Sequence, residues 1–291
     1  MTDSSTLDQC PSTLVDELHA LSVSLESLRS MPSADPRRPV SRFATDSPQG
    51  PLLVEVARRG ESGHRLAVEV SGRTWAHRQG IPTPRLYAAD AAGGWLVSQY
   101  VTPGPARGPG YISRALDAAA AVAGAPEAPP TSGQSTWRAP RRTVPLRAAR
   151  NLVGGLPLAQ WRRARAEAAT IPQDTTSHGD FYWRNILDVD CGVMIVDWEY
   201  VGLAAYGTDQ LRLWSAQQDA DDRGQVMEHL MTTTPRQRWP DVGKLALWLS
   251  LRLLGENLSA PRRYQRAADR EHARTMVSEA RVFARSLSGV R

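Results

Sequence analysis

The chain has 291 residues, of which 41% are apolar, so it is long enough for one large domain or two lobes with a buried core. Its formal charge is +5, but no zinc-finger, RNP or helix-turn-helix pattern accompanies the basic residues, and we expect no nucleic acid partner. The two cysteines, Cys10 and Cys191, form no metal or redox motif. The polar N-terminus does not resemble a signal peptide, and the longest apolar run, at 245–254, is too short to span a bilayer, so we expect a cytoplasmic protein without membrane contact.

Leucines in the N-terminal segment recur at a spacing of four and three residues, which predicts a helix over 13–30. They are Leu14, Leu18, Leu21, Leu25 and Leu28. One interpretation is a helix packed on its own lobe, and the other is a docking helix for a protein partner. Prolines between 32 and 39 end the helix, so we predict an N-terminal extension over 1–37.

A small sheet is predicted next along the chain. Short β-prone runs bounded by turn residues predict strands, and one longer run with helical periodicity predicts a helix. The predicted strands are 40–43, 52–57, one at the end of 80–90, and 95–101, and the predicted helix is 66–79. The order strand, strand, helix, strand, strand indicates a small antiparallel-sheet lobe, which we place at 38–101.

The segment after this lobe is rich in arginine. A linker at 103–109 and an alanine-rich helix at 111–123 precede a stretch without clear periodicity at 124–145. Between 131 and 165 the chain contains no acidic residue and eight arginines, which are Arg138, Arg141, Arg142, Arg147, Arg150, Arg162, Arg163 and Arg165. A solvated basic face is one interpretation. A site for an acceptor or partner, with Arg138, Arg141 and Arg142 taking part, is the other.

One stretch, 177–199, contains most of the residues that are able to carry chemistry. A His-Gly-Asp sequence lies at 178–180, and two β-prone runs follow at 186–189 and 193–196. Because turn residues separate these two runs, we predict a hairpin.

The base of this hairpin predicts a metal site. Reflection of the numbering about Cys191 places Asn185 opposite Asp197, and cross-strand partners lie about 5 Å apart. An amide oxygen and a carboxylate at this separation suit Mg²⁺, which completes its shell with water and phosphate. Asp180, in the loop before the hairpin, is expected to face the same point without binding the metal.

The C-terminal third is predicted to be helical, with segments at 219–231, 241–258 and 261–287. The middle segment is apolar nearly all round, so we expect it to be buried, and the last is amphipathic and is expected to cover it. Together the elements predict an α+β protein whose C-terminal lobe, 102–291, is mostly helical.

The stretch around 177–199 resembles the catalytic core of the kinase-like phosphotransferases, and most closely the aminoglycoside phosphotransferase and choline kinase group. The residues that carry the resemblance are His178, Gly179, Asp180, Asn185, Asp197 and Trp198. The resemblance implies a bilobal protein-kinase-like fold, and it implies ATP or GTP together with Mg²⁺ as cofactors.

The resemblance also implies a role for each matching residue. Asp180 is the expected base or orienter of the acceptor hydroxyl, and Asn185 and Asp197 are the expected Mg²⁺ ligands. His178 is a further candidate catalytic residue, although a hydrogen-bonded core histidine is the alternative. Asp209 is expected to anchor the helix after the metal loop, although a plain helix N-cap also fits it.

In the small lobe, the resemblance implies that 99–101 is a hinge whose backbone hydrogen bonds adenine, with Gln99 and Val101 as the cofactor-binding residues. Glu69 is the expected helix glutamate that pairs with a phosphate-binding lysine.

That lysine is missing. Glu55 stands at its expected position, and the small lobe contains no lysine at all. Arg42, Arg58 or Arg59 are the candidate replacements, and we list Arg58 among the expected cofactor-binding residues. A glycine-rich phosphate loop is also hard to find, since 44–48 is a poor substitute.

These features predict transfer of the γ-phosphoryl group of ATP or GTP to a hydroxyl of a neutral or acidic small molecule, such as an antibiotic, a sugar or another metabolite. Enzymes that modify aminoglycosides resemble one another in having acidic acceptor pockets, and the arginine-rich segment of this chain points away from a polycationic acceptor.

Three alternatives stay open at this point. The first is a Ser/Thr kinase of a ribosomal precursor peptide, of the lanthipeptide type, that works with a lyase partner. The second is a pseudokinase that acts as a binding or scaffold subunit, because Glu55 replaces the lysine. The third is a metallohydrolase that uses His178, Asp180, Asp188, Asp190 and Asp197.

Overall fold

The computed structural model describes residues 11–31, 40–57, 64–102, 104, 107–130, 158–190, 192–259 and 267–289. The chain forms two compact units. The first unit contains the described residues of 1–109, 126–132 and 185–200, and the second contains those of 110–125, 133–184 and 201–291. Residues 185–200, which contain the predicted hairpin, belong to the first unit.

The first unit is built on a five-stranded antiparallel sheet with the strand order β1-β2-β3-β5-β4. Its strands are β1 (Arg29–Ser30), β2 (Val40–Ser47), β3 (Gly50–Ala57), β4 (Leu86–Asp90) and β5 (Trp95–Gln99). Helix α2 (His64–Arg78) lies between β3 and β4 in the chain, and a separate hairpin is formed by β7 (Ile186–Val189) and β8 (Gly192–Ile195). The predicted antiparallel-sheet lobe is therefore confirmed, with β2 four residues longer than expected.

The N-terminal helix is shorter than predicted. Helix α1 spans Ser12–Ala20 and ends just before Ser22, whose positive φ of 59° is incompatible with a continuing helix. The rest of the predicted helix is a 3₁₀ turn at Leu25–Ser27, followed by β1. The prediction of one helix over 13–30 was therefore wrong.

The leucines of this N-terminal segment pack on the sheet of their own unit. Leu14, Leu18 and Leu28 are fully or almost fully buried, in one cluster with Phe43 and Val54 of the sheet. The alternative in which this apolar stripe docks a protein partner therefore has no support, because the sheet already covers the stripe.

The second unit is mostly helical. Its helices are α3 (Tyr111–Ala123), α4 (Leu158–Ala168), α5 (Thr208–Ala216), α6 (Ala220–Thr233), α7 (Trp239–Ser259) and α8 (Ala267–Gly289). A short antiparallel pair, β6 (Thr175–Ser177) and β9 (Gly202–Ala204), precedes α5. The predicted helices α3, α6 and α7 are confirmed within two residues at each end. The last predicted segment is helical over Ala267–Gly289, and its residues 261–266 lie outside the described part. Helix α4 was not predicted.

Helices α7 and α8 form the centre of this unit. The described part of α7 is buried along much of its length, as predicted, and α8 covers it with an apolar face that includes Met276, Ala280 and Phe283. The two helices approach closely at Gly243, where an added Cβ atom would lie 3.2 Å from the Cα atom of Ala284. Among the described residues, none of the helices combines the length and apolar character that crossing a membrane requires.

The close approach of α7 and α8 makes a stability prediction. Gly243→Val should lower the free energy of unfolding by about 1–3 kcal/mol, because the branched side chain has no space against the backbone of α8. Thermal or chemical denaturation measures the change.

The matched control is Gly224→Ala in the exposed face of α6, where an added Cβ atom meets nothing within 4 Å. It should stabilise the protein by about 0.5–1 kcal/mol through helix propensity. Equal stability of Gly243→Val and the wild type would show that α7 and α8 are not packed as described.

Candidate functional site

The loop that contains Asp180 is fixed by a buried aspartate in the second unit. Asp209 accepts hydrogen bonds from Ser177 Oγ at 2.7 Å, from the His178 N–H at 2.8 Å and from the Gly179 N–H at 3.2 Å. Gly179 has φ +83°, which glycine adopts without strain. Burial raises the pKa of Asp209, while the charge of His178 and these hydrogen bonds act in the opposite direction.

Asp209 supports this loop and does not cap its own helix. The N-cap of α5 is Gly207, and Asp209 lies in the first turn with its side chain directed to 177–179. The plain N-cap interpretation was therefore wrong. The sequence position of Asp209 was predicted as structural support, and the hydrogen bonds show which segment it holds.

Asp180 forms an ion pair with an arginine that the sequence analysis did not identify. Arg212 Nη2 and Nε lie 3.1 and 3.2 Å from Asp180 Oδ1, and both side chains are partly buried. The Arg212 guanidinium also stacks over the ring of Tyr182 at 5.0 Å. Three groups therefore hold one another in place, so the Asp180 carboxylate has a defined orientation.

His178 has no exposed surface, and its ring packs edge-on against Phe181. Its Nδ1 lies 3.3 Å from the Asp180 N–H, which donates to it. These contacts fit a core histidine that supports the backbone of Asp180, and a catalytic role for His178 stays a prediction.

The hairpin of the first unit has a different register from the one predicted. Ile186 pairs with Ile195 and Val189 with Gly192, so two residues and not three connect the strands. Gly192 has φ +138° and pairs with Val189 in the hairpin. The prediction had instead centred the turn on Cys191, which left Gly192 outside the strand. The residue opposite Asn185 is therefore Val196, whose N–H donates to the Asn185 carbonyl at 2.9 Å, and the prediction that Asn185 faces Asp197 directly was wrong.

Asp197 lies one residue beyond this pair, where the chain leaves the strand direction. It has φ +67°, a left-handed conformation that is uncommon outside glycine, asparagine and aspartate. The next residue anchors the turn, because Trp198 Nε1 donates to Thr83 Oγ1 at 3.0 Å and to the Ile195 carbonyl at 3.1 Å. Trp198 also packs edge-on against Trp75 of α2. The position of Asp197 is therefore set by a buried aromatic contact.

Asp197 belongs to a group of carboxylates that we call the acidic cluster, which consists of Glu55, Glu69, Asp197 and Glu199. The pKa of Asp197 is raised to about 7, first by burial and then by the negative charges of the other three carboxylates, while the charge of Arg42 acts in the opposite direction. Proximity of like charges and loss of solvent both favour the protonated acid. A bound cation would favour the charged form instead.

Glu55, which replaces the expected lysine, is paired with Arg42. The two residues are direct cross-strand partners on β2 and β3, and Arg42 Nε donates to Glu55 Oε1 at 2.6 Å. The neighbouring pair, Phe43 and Val54, faces the buried core with α1. Because side chains alternate along a strand, Arg42 and Glu55 lie on the opposite face of the sheet.

Glu69 is paired within its own helix. Arg73, four residues later in α2, donates from Nη2 at 2.6 Å and from Nε at 3.2 Å to Glu69 Oε1. Both side chains are buried, and burial raises the pKa of Glu69 although the charge of Arg73 lowers it. The expectation that Glu69 pairs with a phosphate-binding lysine was therefore wrong.

The expected hinge lies at the end of β5. The Gln99 side-chain oxygen accepts from the Arg85 N–H at 3.3 Å, and the Tyr100 N–H donates to the Pro51 carbonyl at 2.8 Å. Within the described residues, no hydrogen bond involves the backbone N–H of Val101.

Four predicted site residues, Arg58, Arg138, Arg141 and Arg142, lie outside the described residues. The segment 44–48, a poor substitute for a phosphate loop, lies mostly within β2 (Val40–Ser47). Arg162 and Arg163 of α4 are exposed, and Arg163 forms an ion pair with Glu167 at 2.8 Å. For these two arginines the structure favours the solvated basic face.

Three arginines that matter to the site were missed or not singled out. Arg73 had a local signal, since it lies four residues after Glu69 on a predicted helix. Arg42 was one of three candidates, and only the strand register distinguishes it from the others. Arg212 has no local signal, because its contact with Asp180 spans 32 residues of sequence.

The residues of the hairpin suit a divalent cation that is shared with other ligands. No group of three or more His, Cys, Asp and Glu side chains in the described part of the chain is arranged to hold a metal alone. This gives the metallohydrolase alternative no site. Asn185 is buried and Asp197 lies beside three further carboxylates, and a hard cation such as Mg²⁺ needs only one or two protein oxygens when water and phosphate supply the rest.

Comparison with known proteins bears on the family and the fold of the chain. The family model of the Phosphotransferase enzyme family (APH) matches residues 37–248. No curated protein sequence is significantly similar to the chain.

Several solved structures have a similar fold. An amicoumacin kinase in complex with AMP-PNP and Ca²⁺ is 10% identical, with a TM-score of 0.59, and the match covers 97% of this chain and 96% of that one. A choline/ethanolamine kinase family protein from Mesorhizobium loti is 19% identical, with a TM-score of 0.53 and coverage of 89% and 96%. A spectinomycin phosphotransferase in complex with ADP and spectinomycin is 11% identical, with a TM-score of 0.55 and coverage of 96% and 98%. At these identities the likeness concerns the fold alone, and it confirms the predicted kinase-like architecture.

The raised pKa of Asp197 predicts a pH-dependent stability of the metal-free protein. The folded-state pKa of about 7 lies above the value of about 4 in an unfolded chain, so the carboxylate destabilises the fold increasingly as the pH rises from about 4 to about 7. In EDTA at pH 8, Asp197→Asn should therefore increase the free energy of unfolding by about 1–3 kcal/mol and raise Tm accordingly. Below about pH 4 the substitution should leave Tm unchanged. Asparagine also tolerates the left-handed conformation.

The control for this experiment is Asp46→Asn, at an exposed carboxylate of β2 that forms a surface ion pair with Arg29. Surface pairs of this kind contribute little, so its Tm should follow the wild type at every pH. If Asp197→Asn also follows the wild type at pH 8, the electrostatic description of the acidic cluster is wrong.

Proposed function

Since the chain belongs to the Phosphotransferase enzyme family (APH) and is a kinase-like phosphotransferase, we propose that it transfers the γ-phosphoryl group of ATP or GTP to a hydroxyl of a neutral or acidic small molecule. In this proposal Asp180 orients the acceptor hydroxyl and accepts its proton as the bond to phosphorus forms. The nucleoside diphosphate is the leaving group.

The observation that carries this proposal is the way in which the loop at 177–180 is held. Asp209 binds two of its backbone N–H groups and the Ser177 hydroxyl, and Arg212 binds the Asp180 carboxylate. A base acts efficiently only when it is held in a fixed geometry, because a small displacement costs much of the rate.

Asn185 and Asp197 are the proposed ligands of Mg²⁺. Bound Mg²⁺ supplies positive charge beside the phosphates of the nucleotide. Asp197 carries a carboxylate whose proton is lost readily in the presence of a cation, and Asn185 contributes a neutral amide oxygen. The backbone N–H of Val101, at the end of β5, is the proposed hydrogen-bond donor to the base, with Gln99 beside it.

The acceptor is proposed from charge. The arginines at Arg138, Arg141 and Arg142 lie in a segment that contains no acidic residue, which disfavours a polycation. Two of the similar structures are named for antibiotics, amicoumacin and spectinomycin, which supports a small-molecule acceptor. Neither the precursor-peptide kinase nor the scaffold alternative gains support from these similarities.

Asp180→Asn tests the role of the base. The variant should bind Mg-ATP as the wild type does, because the base acts on the acceptor, and it should lose turnover by about 10²–10⁴-fold. Steady-state transfer assays and a nucleotide titration measure the two quantities separately.

Asp174→Asn is the matched control, since Asp174 also forms an ion pair with an arginine of the second unit, Arg238, at 2.6 Å, but near the surface. Its turnover should be unchanged. Full transfer activity in Asp180→Asn would remove Asp180 from the chemistry.

A panel of acceptors tests the charge preference. Neutral and anionic alcohols, including sugars and nucleosides, should accept phosphate, and polycationic aminoglycosides should not. Replacing Arg141 and Arg142 together by glutamine should raise the KM for an anionic acceptor by about tenfold, because two favourable charges are lost.

Replacement of Arg162 and Arg163 by glutamine is the control, because both side chains are exposed on α4. This variant should keep the KM of the wild type. Efficient phosphorylation of an aminoglycoside by the wild type would contradict the proposed acceptor class.

A further inference from the structure

The first unit lacks the lysine that would contact the nucleotide phosphates, and this inference, which rests on the proposed function, concerns the residue that replaces it. Glu55 is almost fully buried at the expected lysine position, so a negative charge stands where a positive one is needed. Within the described part of the chain, the cation paired with Glu55 is Arg42 on the neighbouring strand, with Nε 2.6 Å from Glu55 Oε1. Arg42 and Glu55 are cross-strand partners, so the two side chains lie on the same face of the sheet. A cation at Arg42 therefore lies on the face that a lysine at position 55 would occupy.

The second arginine near the acidic cluster is already committed elsewhere. Arg73 binds Glu69 through two nitrogens and is only 4% exposed. Its Nη1 and the Oε2 of Glu69 have no hydrogen-bond partner among the described residues, but both atoms are buried. Arg73 therefore stabilises α2 from within and is poorly placed to meet a ligand from solvent.

Arg42 differs from Arg73 in both respects. Its side chain is 38% exposed, whereas the Glu55 side chain below it is 5% exposed. Only Nε is bound to Glu55, and within the described residues no hydrogen bond occupies the two Nη groups. The outer edge of the guanidinium is therefore accessible, while the inner edge is fixed.

The carboxylates around Arg42 show where its guanidinium lies relative to the acidic cluster. Burial alone lowers its pKa, but the carboxylates of the acidic cluster, including Asp197, raise it. The guanidinium thus lies within electrostatic range of a proposed Mg²⁺ ligand. A cation in this position would meet the phosphate oxygens that Mg²⁺ also contacts.

We propose that Arg42 is the residue of the first unit that contacts the nucleotide phosphates, and that Glu55 is a positioning residue that holds its guanidinium. The planar guanidinium binds phosphate through two parallel hydrogen bonds, which a lysine does not do. A short ion pair on β3 fixes the direction of a side chain that would otherwise be flexible. In this arrangement Glu55 favours phosphate binding by holding Arg42, although its own charge is negative.

The experiment compares variants that keep or remove the cation without leaving a buried charge alone. Glu55→Gln keeps Arg42, and the double variant Arg42→Gln/Glu55→Gln removes both charges, so neither contains a buried carboxylate without its partner. A third variant, Arg42→Gln/Glu55→Lys, moves the positive charge to β3. The probes are Mg-ATP and Mg-tripolyphosphate, titrated by calorimetry into the full chain, and Tm is measured for each variant.

Arg29→Gln is the matched control, because Arg29 forms an arginine–carboxylate pair with Asp46 in the same sheet, but both side chains are exposed. Arg29→Gln should bind each probe with the same affinity as the wild type. Glu55→Gln should bind within about threefold of the wild type, and the double glutamine variant should bind both probes about tenfold more weakly or worse. The lysine variant should recover most of this loss.

Equal affinity of Glu55→Gln and the double glutamine variant for Mg-tripolyphosphate would overturn the role of Arg42 and leave the proposed function intact. A loss for Mg-ATP without a loss for Mg-tripolyphosphate would overturn it too, because the contact would then be to the nucleoside. If the wild type binds neither Mg-ATP, Mg-GTP nor Mg-tripolyphosphate, the proposed function and this inference fail together.

Discussion

The charge balance of the acidic cluster is the constraint on which the chemistry of the first unit depends. Among the described residues, the negative charges of Glu69, Glu199 and Glu55 act on Asp197 together with its burial, and Arg42 opposes them, so repulsion at Asp197 is in excess of attraction. Burial makes this excess costly, since like charges repel more strongly away from water. The protein relieves it in the metal-free state by raising the pKa of Asp197 to about 7. A divalent cation relieves it without a proton, which connects metal binding to the stability of the hairpin.

The second unit meets a different requirement, which is to hold a carboxylate still. Asp180 is fixed by an arginine on one side and, through its loop, by a fully enclosed Asp209 on the other. Buried carboxylates are tolerated when hydrogen bonds satisfy them, and Asp209 accepts three. The two units therefore use their acidic residues in opposite ways. In the first unit neighbouring carboxylates repel one another around Asp197, and in the second unit hydrogen bonds and an arginine hold Asp209 and Asp180 in place.

Local patterns predicted the parts of this structure that depend on neighbours in sequence. Helix α3 follows its periodicity residue by residue, and the His-Gly-Asp motif identified the loop that Asp209 holds. The predictions that were wrong depended on single backbone angles or on contacts between residues distant in sequence. The positive φ of Ser22 ends α1 early, and the conformation of Gly192 shifts the hairpin register by one residue. A one-residue shift changes which side chains face each other, and composition does not show it.

The missing lysine shows the same limit at the candidate site. Comparison of the sequence with the family pattern shows only that a negatively charged residue, Glu55, occupies the position of the expected lysine. The strand register then places Arg42 directly opposite, and the exposure of its side chain separates it from Arg73. In the proposed arrangement the cation lies on β2, on the strand next to the one where the lysine is expected. Neither observation follows from the sequence, because both require the pairing of β2 with β3.

The most direct test of this account is a calorimetric titration of the wild-type chain with ATP at pH 8, once with Mg²⁺ and once with EDTA. If the acidic cluster needs a cation before it accepts phosphates, ATP should bind in Mg²⁺ and at least about tenfold more weakly in EDTA, since the nucleotide then adds negative charge near carboxylates that already repel one another. Equal affinity under the two conditions would contradict the account, because the charge excess of the first unit would then play no part in binding.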